Sequence, residues 1–357
     1  MSQETADCGA QSGDPAIIEL PDAMDILQNA PARRRIPKWL IPAVGYAVSA
    51  VSLVWVLSKF PYVQLGDHLR TMDWWWVGVA IVFELAIYAA DAWRWAVILR
   101  PAGKPSFRLC LQSVLVGLFA NDVLPARAGE LVRCFLLSYE TEVPLSLALT
   151  SDVILRIMDG VWIVLIYLVV TFQIGSHEVV TRVMWGFGAG VVVIAALILY
   201  VLFRRSHAHY FVRNKGWAER FITFLDEIHK LGHWPELRGA MFGSGLYWLM
   251  QILALWALAR SDQFDLGIGQ VTFILIVKAI WTLIPNAPGN IGVYQAAIMY
   301  GLGLLLVEHA NAQIFSEIAF WILTLPAAAA GAIAVAFTGV DITELHKHAH
   351  KARAEAG

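Results

Sequence analysis

Charged and amide side chains gather at four places inside the apolar stretches of this 357-residue chain. Asp152, Arg156 and Asp159 are spaced i, i+4, i+7, so one face of a helix would carry acid, base and acid. Upstream, Glu84, Tyr88 and Asp91 form a similar stripe, with Arg94 one turn beyond. A third group holds Asn121, Asp122, Arg127, Glu130 and Arg133, and a fourth Lys278, Asn286, Asn290 and Gln295. A charge at mid-bilayer costs roughly 2.5–3.5 kcal/mol on insertion scales, so this many must face one another or water. Mutual pairing that locks helices together suits Arg156 and Asp159 as well as ligand binding does. Asp91 and Arg94 read more naturally as a snorkelling pair near a membrane edge. Taken together, the groups favour an anion site. Arginine's planar fork suits phosphate oxygens, and Arg127 and Arg133 stand beside a helix break whose free amides already attract an anion. The expected binding set is Arg127, Glu130, Arg133, Arg156, Asp159, Asn286, Asn290 and Gln295, around a phosphate-bearing headgroup. Glu84, Asp91 and Asp152 are candidate proton carriers or counter-ions.

The elements that must position these groups announce themselves by a repeated break. Leu124-Pro125-Ala-Arg127-Ala-Gly129-Glu130-Leu131 and Ile284-Pro285-Asn286-Ala-Pro288-Gly289-Asn290-Ile291 share one pattern: an aliphatic residue, Pro, Gly four positions on, then an aliphatic. Gly292 follows the second copy. Pro removes a backbone donor and Gly makes left-handed or extended backbone inexpensive, so each copy interrupts a helix. Lipid tails cannot satisfy the freed amides and carbonyls, so such breaks belong where they line a polar cavity. A matched pair points to a transporter's binding site.

The bilayer setting follows from composition: 58% hydrophobic residues, 15% charged and a mean hydropathy of +0.61. Apolar runs at Trp39–Leu57, Trp76–Leu99, Val153–Phe172, Trp185–Phe203, Ala240–Leu258 and Ile314–Phe337 are each near the ~20 residues a spanning helix needs. Trp74, Trp75 and Trp76 fit an interfacial aromatic belt. Basic residues cluster before the first run (Arg33, Arg34, Arg35, Lys38), after the second (Arg100, Lys104, Arg108), through residues 204–238 and in the C-terminal tail. All fall on the cytoplasmic side if Leu109–Tyr139 dips in and returns and Gln270–Val307 does so from the opposite face. The fold class expected is therefore an all-α polytopic membrane protein with inverted-topology repeats, about six spanning helices and two re-entrant Pro/Gly-broken hairpins. Hairpin arms that cross fully would satisfy the same charges, giving up to about ten crossings.

This frame divides the chain into a disordered cytoplasmic tail (1–35), a membrane domain (36–340) and a cytoplasmic C-terminal tail (341–357). Within the membrane domain, repeat 1 covers about 74–172 and repeat 2 about 239–338. Residues 204–238 form the long cytoplasmic connection, in which Trp217–Leu231 carries a helical apolar stripe suited to lying on the membrane face. No signal peptide is visible. Cys8, Cys110 and Cys134 have no metal-ligand spacing and read as small packing residues. His346, His348 and His350 read as solvated tail. No Walker loop, nucleophile elbow, HExxH or dinucleotide turn occurs, so no enzyme activity, cofactor, metal or nucleic-acid partner is expected.

Pro125-x-Arg127-x-Gly129-Glu130-x-x-Arg133, Arg156-x-x-Asp159 and Pro285-x-x-Pro288-Gly289-x-x-Gly292, in that order, resemble the membrane region of lysylphosphatidylglycerol synthases and the stand-alone flippase-like proteins of bacteria and archaea. The resemblance spans roughly residues 39–338. It implies a bacterial inner-membrane protein that moves a lipid between leaflets, with Arg127, Glu130, Arg133, Arg156, Asp159, Pro285, Pro288 and Gly289 as functional residues. The sequence runs to residue 357, so no aminoacyl-transfer domain is expected. An anionic membrane lipid is the expected partner. A secondary transporter of a small soluble anion, or a non-transporting partner of a lipid-modifying enzyme, are the alternatives.

Overall fold

The structure, a computed structural model, describes residues 47, 50–56, 62–124, 129–175, 178–203, 227–262, 264–283 and 286–338, all within the compact unit Trp39–Gly357. Both tails, most of the apolar run Trp39–Leu57 and residues 204–226 of the long connection lie outside them, as do Pro125, Arg127 and Pro285.

Ten helices follow in order among the described residues: α1 Tyr62–Thr71, α2 Trp74–Ile98, α3 Phe107–Val123, α4 Gly129–Glu140, α5 Leu145–Ile174, α6 Glu178–Phe203, α7 Trp234–Ser261, α8 Ile268–Trp281, α9 Val293–Leu304 and α10 His309–Thr338. No strand occurs among the described residues. Five of these helices (α2, α5, α6, α7, α10) are long and apolar enough to cross a membrane. Local chemistry sets their ends. The Asp73 carboxylate caps α2 by accepting from the Trp75 amide at 3.0 Å, and the Ser106 hydroxyl caps α3 by accepting from the Leu109 amide. Trp74 and Trp75 stand exposed on the first turn of α2, while Trp76 turns inward against Trp256.

The four helices flanking the two breaks are short. With 17, 12, 14 and 12 residues, α3, α4, α8 and α9 reach about 25, 18, 21 and 18 Å, less than the ~30 Å of a hydrocarbon core. Between α8 and α9 a 3-10 turn, Pro288–Asn290, is held by Gly289 (φ 67°) and Asn290 (φ 55°), with Gly292 (φ 82°) after it. Glycine is required at the first and last of these because a side chain there meets its own backbone.

The helix contacts come in matched sets. The most extensive packing joins α2 to α7. Around that pair, α3 packs on α4 as α8 packs on α9, α4 on α5 as α9 on α10, and α3 on α10 as α8 on α5. The lesser contacts α2–α3 and α7–α8, α2–α5 and α7–α10, α5–α7 and α10–α2 correspond likewise. Exchanging α2 with α7, α3 with α8, α4 with α9 and α5 with α10 leaves this contact pattern unchanged. α6 packs on α5 outside the exchange.

Two details depart from expectation. Of the Trp217–Leu231 segment, residues 217–226 lie outside the described part, but Ile228 and Leu231 are fully buried in a cluster with Trp95, Cys110, Cys134 and Leu155. Glu227 accepts a hydrogen bond from the Thr150 hydroxyl at 2.6 Å. The end of this stripe is docked on protein instead of lying on the membrane face. Cys110 and Cys134 are buried free thiols, as their isolation in the sequence suggested.

Candidate functional site

A cavity of about 450 Å³ lies between the helix ends that flank the first break and the turn of the second. α2 contributes Glu84, Ile87 and Tyr88, α3 Asn121 and Asp122, and α4 Glu130. Arg156 and Asp159 come from α5, Tyr247, Trp248 and Gln251 from α7, and Lys278 from α8. The turn Asn286–Asn290, Tyr294 of α9 and Thr324 of α10 also line it, and apolar residues such as Ile163 and Phe187 fill the rest of the wall. The second break meets the end of α3 directly: the 3-10 turn packs on α3, and a Cβ at Gly289 would stand 3.6 Å from Asp122 Oδ1. Pro326, inside α10, removes the amide that would have bonded one turn back, leaving polar backbone near the cavity-lining Leu323 and Thr324.

Each break is held by local hydrogen bonds. Asn121 Oδ1 accepts from the Gly129 amide at 2.8 Å, tying the start of α4 to α3. Gly129 lies directly against the Gly117 carbonyl, a contact that leaves no room for a side chain. On the second break, Gln295 Oε1 accepts from the Gly292 amide at 2.8 Å and caps α9.

The charges separate into two populations. Asp159, Arg94, Asp91, Arg133 and Asp152 form one buried chain. Arg94 donates to Asp91 Oδ1 through Nε (2.8 Å), to both oxygens of Asp159 and to the Ser244 hydroxyl (2.8 Å). Arg133 donates to Asp91 Oδ2 at 3.0 Å and pairs with Asp152. The guanidinium of Arg94 lies over the Tyr247 ring at 4.2 Å and that of Arg133 over the Trp95 ring at 5.0 Å. Only Asp159 of the five reaches the cavity wall. Arg156 belongs to the other population. It meets Glu130 Oε1 at 2.7 Å, and its side chain is 48% exposed. Glu84 accepts from the Tyr88 hydroxyl at 3.1 Å, and Lys278 Nζ stands 5.2 Å from the Tyr294 ring centre.

Of the residues picked out in the sequence, Glu84, Glu130, Arg156, Asp159, Asn286, Pro288, Gly289 and Asn290 line the cavity together. Others have different places. Arg133 is 5% exposed, is neutralised by two aspartates and is absent from the cavity wall, because α2 and α5 bring Asp91 and Asp152 to it. Asp91 and Asp152 are its counter-ions. Arg94 does not snorkel: it is 2% exposed, bridged between helices by two carboxylates. Gln295 is buried in its capping role, and Gly129 and Gly292 shape backbone. Ser244, Tyr247 and Gln251, on one face of α7, went unremarked in the sequence. Their i, i+3, i+7 spacing was a signal, but neutral residues in an apolar run have no distinguishing charge.

Apolar spanning helices, two Pro/Gly-broken helix pairs and a charged cavity between them define a multi-pass membrane protein with an internal polar site. The chain belongs to the family described as the lysylphosphatidylglycerol synthase TM region, which matches residues 43–331. Curated relatives are UPF0104 membrane proteins of archaea. One from Methanocaldococcus jannaschii is 23% identical over 198 residues, 55% of this chain and 83% of the relative. A second from that organism is 22% identical over 278 residues, covering 68% and 79% of the two chains. One from Methanothermobacter thermautotrophicus is 21% identical over 339 residues, covering 85% and 97%. No solved structure matches the chain.

Proposed function

We propose that this protein carries a phosphate-bearing membrane lipid between leaflets, passing the headgroup through the central cavity while the tails stay in the bilayer. The observation that carries this reading is the placement of one charged cavity at the meeting of two broken helix pairs, within helices otherwise suited to lipid. The description of the matching family, a synthase of an aminoacylated phospholipid, directs the choice of cargo to a lipid.

The matched contact sets support a two-fold repeat of α2–α5 and α7–α10; in this proposal the copies are inverted and the four short arms form re-entrant hairpins. Each hairpin would then enter from its own face and return at the cavity. The two charge populations have different tasks in this scheme. Removing one partner of a buried ion pair costs roughly 3–5 kcal/mol, so the Arg94 and Arg133 chain is fixed scaffolding. A partly exposed pair is worth only ~0–1 kcal/mol, so Arg156 and Glu130 part readily and serve as the latch between α5 and α4.

The test is lipid headgroup accessibility in proteoliposomes with purified full-length protein. Wild type is expected to expose an inner-leaflet fluorescent phosphatidylglycerol to an outside quencher faster than empty vesicles do. Ala279→Phe, which places a ring into the cavity, is expected to abolish the gain. Equal rates for wild type, Ala279→Phe and empty vesicles would sink the proposal.

A further inference from the structure

The position of the cargo's anion within the cavity can be read from which cations remain uncompensated. The sequence gives this task to arginines of the first break. Among the described residues, however, Arg94 and Arg133 are each held by two carboxylates and Arg156 by Glu130. Lys278 is different. It lines the cavity, yet no carboxylate oxygen approaches its Nζ within 4.0 Å among the described residues. Its neighbour there is the face of Tyr294, which attracts a cation but leaves its hydrogen-bond donors unmatched. Glu84 acts on it only at a distance.

A second unmatched donor belongs to the same broken helix pair. Asn286, in the backbone break eight positions beyond Lys278, also lines the cavity, and its amide nitrogen Nδ2 is buried without an acceptor. A buried donor without a partner costs about 1–3 kcal/mol until something satisfies it. The rest of the wall discourages an anion. Among the described residues its charged members are Glu84, Asp122, Glu130 and Asp159 against Arg156 and Lys278, so acids outnumber bases there. Among the described residues, Lys278 and Asn286 are therefore the groups best suited to meet an anion.

We infer that Lys278 and Asn286, on the second broken pair, form the phosphate subsite of the cavity, with Lys278 as the charge that recognises a phosphate monoester or diester. This rests on the cargo reading above for the lipid source, but the subsite itself requires only phosphate chemistry. Arginine would keep a positive charge and donors that match phosphate oxygens, so it should substitute, whereas a neutral amide loses the charge and should not.

The experiment uses full-length protein in neutral detergent, with phosphatidylglycerol and diacylglycerol of the same tails as probes in native mass spectrometry, and inorganic phosphate as competitor. Wild type is expected to retain phosphatidylglycerol over diacylglycerol. Lys278→Gln should lower that retention about tenfold or more, Lys278→Arg should keep it within about threefold, and Asn286→Ala should fall between. Arg182→Gln, on the exposed face of α6, is the control for charge removal as such and should match wild type. Unaltered elution and melting of each variant excludes misfolding. If inorganic phosphate stabilises wild type but not Lys278→Gln, while lipid retention ignores Lys278, the subsite stands and its source is soluble phosphate. If neither probe depends on Lys278, the inference fails. Lys278-dependent lipid retention without transfer in proteoliposomes would leave the subsite intact and remove the translocation reading.

Discussion

Arg94 shows how far a side chain's meaning depends on its neighbours. Beside Asp91 on one helix it has the spacing of a local pair, worth a few tenths of a kcal/mol on an exposed helix. In the fold it joins three helices through Asp91, Asp159 and Ser244, at 2% exposure. Arg94→Met would leave two buried carboxylates short of a cation. The expected loss is about 3–5 kcal/mol in unfolding by SDS titration. Arg156→Met, removing a half-exposed partner, should lower stability by less than about 1 kcal/mol while slowing headgroup transfer. Equal destabilisation by the two substitutions would contradict the division into scaffold and latch. The sequence already pointed to every charged member of both populations, because charge inside an apolar run is conspicuous. What it could not disclose was partnership. Asp159 lies one turn from Arg156 yet pairs with Arg94, 65 residues away, and Arg133 turns from the cavity to two aspartates supplied by α2 and α5.

Helices in a bilayer gain little from hydrophobicity when they meet, so their approach depends on small residues and close fit. On α7, Gly239 and Gly243 are one GxxxG unit, and they lie under α2. A Cβ at Gly239 would stand 2.9 Å from Val97 Cγ1, and one at Gly243 would stand 2.6 Å from Arg94 Cβ. Gly243→Leu should therefore force α2 and α7 apart and pull Arg94 away from Ser244. The expected result is a lower SDS-unfolding midpoint, shared with Gly239→Leu but not with Gly190→Leu, where nothing lies within 4 Å. A second element-scale device ties α1 to the end of α7: His68 Nδ1 meets Asp262 Oδ1 at 2.8 Å, while Asp262 Oδ2 is buried without a partner. Burial raises the Asp262 carboxyl above its ordinary range, against the lowering pull of His68. The native state therefore holds this proton more tightly than the unfolded chain, and stability from this site falls as pH rises from the ordinary carboxylate value, ~3.9, through the raised one. Asp262→Asn should make the unfolding temperature less dependent on pH between acid and neutral solution. A slope identical to wild type would exclude this assignment. The Pro/Gly breaks and the long apolar runs were readable at this scale because backbone chemistry is local. The clasp was not, since His68 and Asp262 are 194 residues apart and each alone is an ordinary polar residue at a helix end.

At the scale of the whole molecule, the contact pattern that survives exchange of α2–α5 with α7–α10 has a topological consequence. If the two halves are inverted copies, the outer ends of α3 and α4 must share one face of the membrane, and those of α8 and α9 must share the other. By the positive-inside rule the first pair would then face the cytoplasm, because Lys104 and Arg108 flank the start of α3. If the short arms instead crossed fully, each hairpin would still begin and end on one face, but its break would be exposed on the opposite one. Two sets of single cysteines separate these cases, in a background where Cys8, Cys110 and Cys134 are replaced by alanine. Lys104→Cys and Glu142→Cys should react with an impermeant maleimide only from the cytoplasmic side, and Asp265→Cys and Glu308→Cys only from the outer side. Ala287→Cys, at the second break, should be protected from both sides by the cavity and gain reactivity only towards a small permeant reagent. Labelling of all four end positions from one side would overturn the inversion. Ready labelling of Ala287→Cys from the cytoplasm would replace re-entry with full crossing, and the cavity would then open directly to water at its second break.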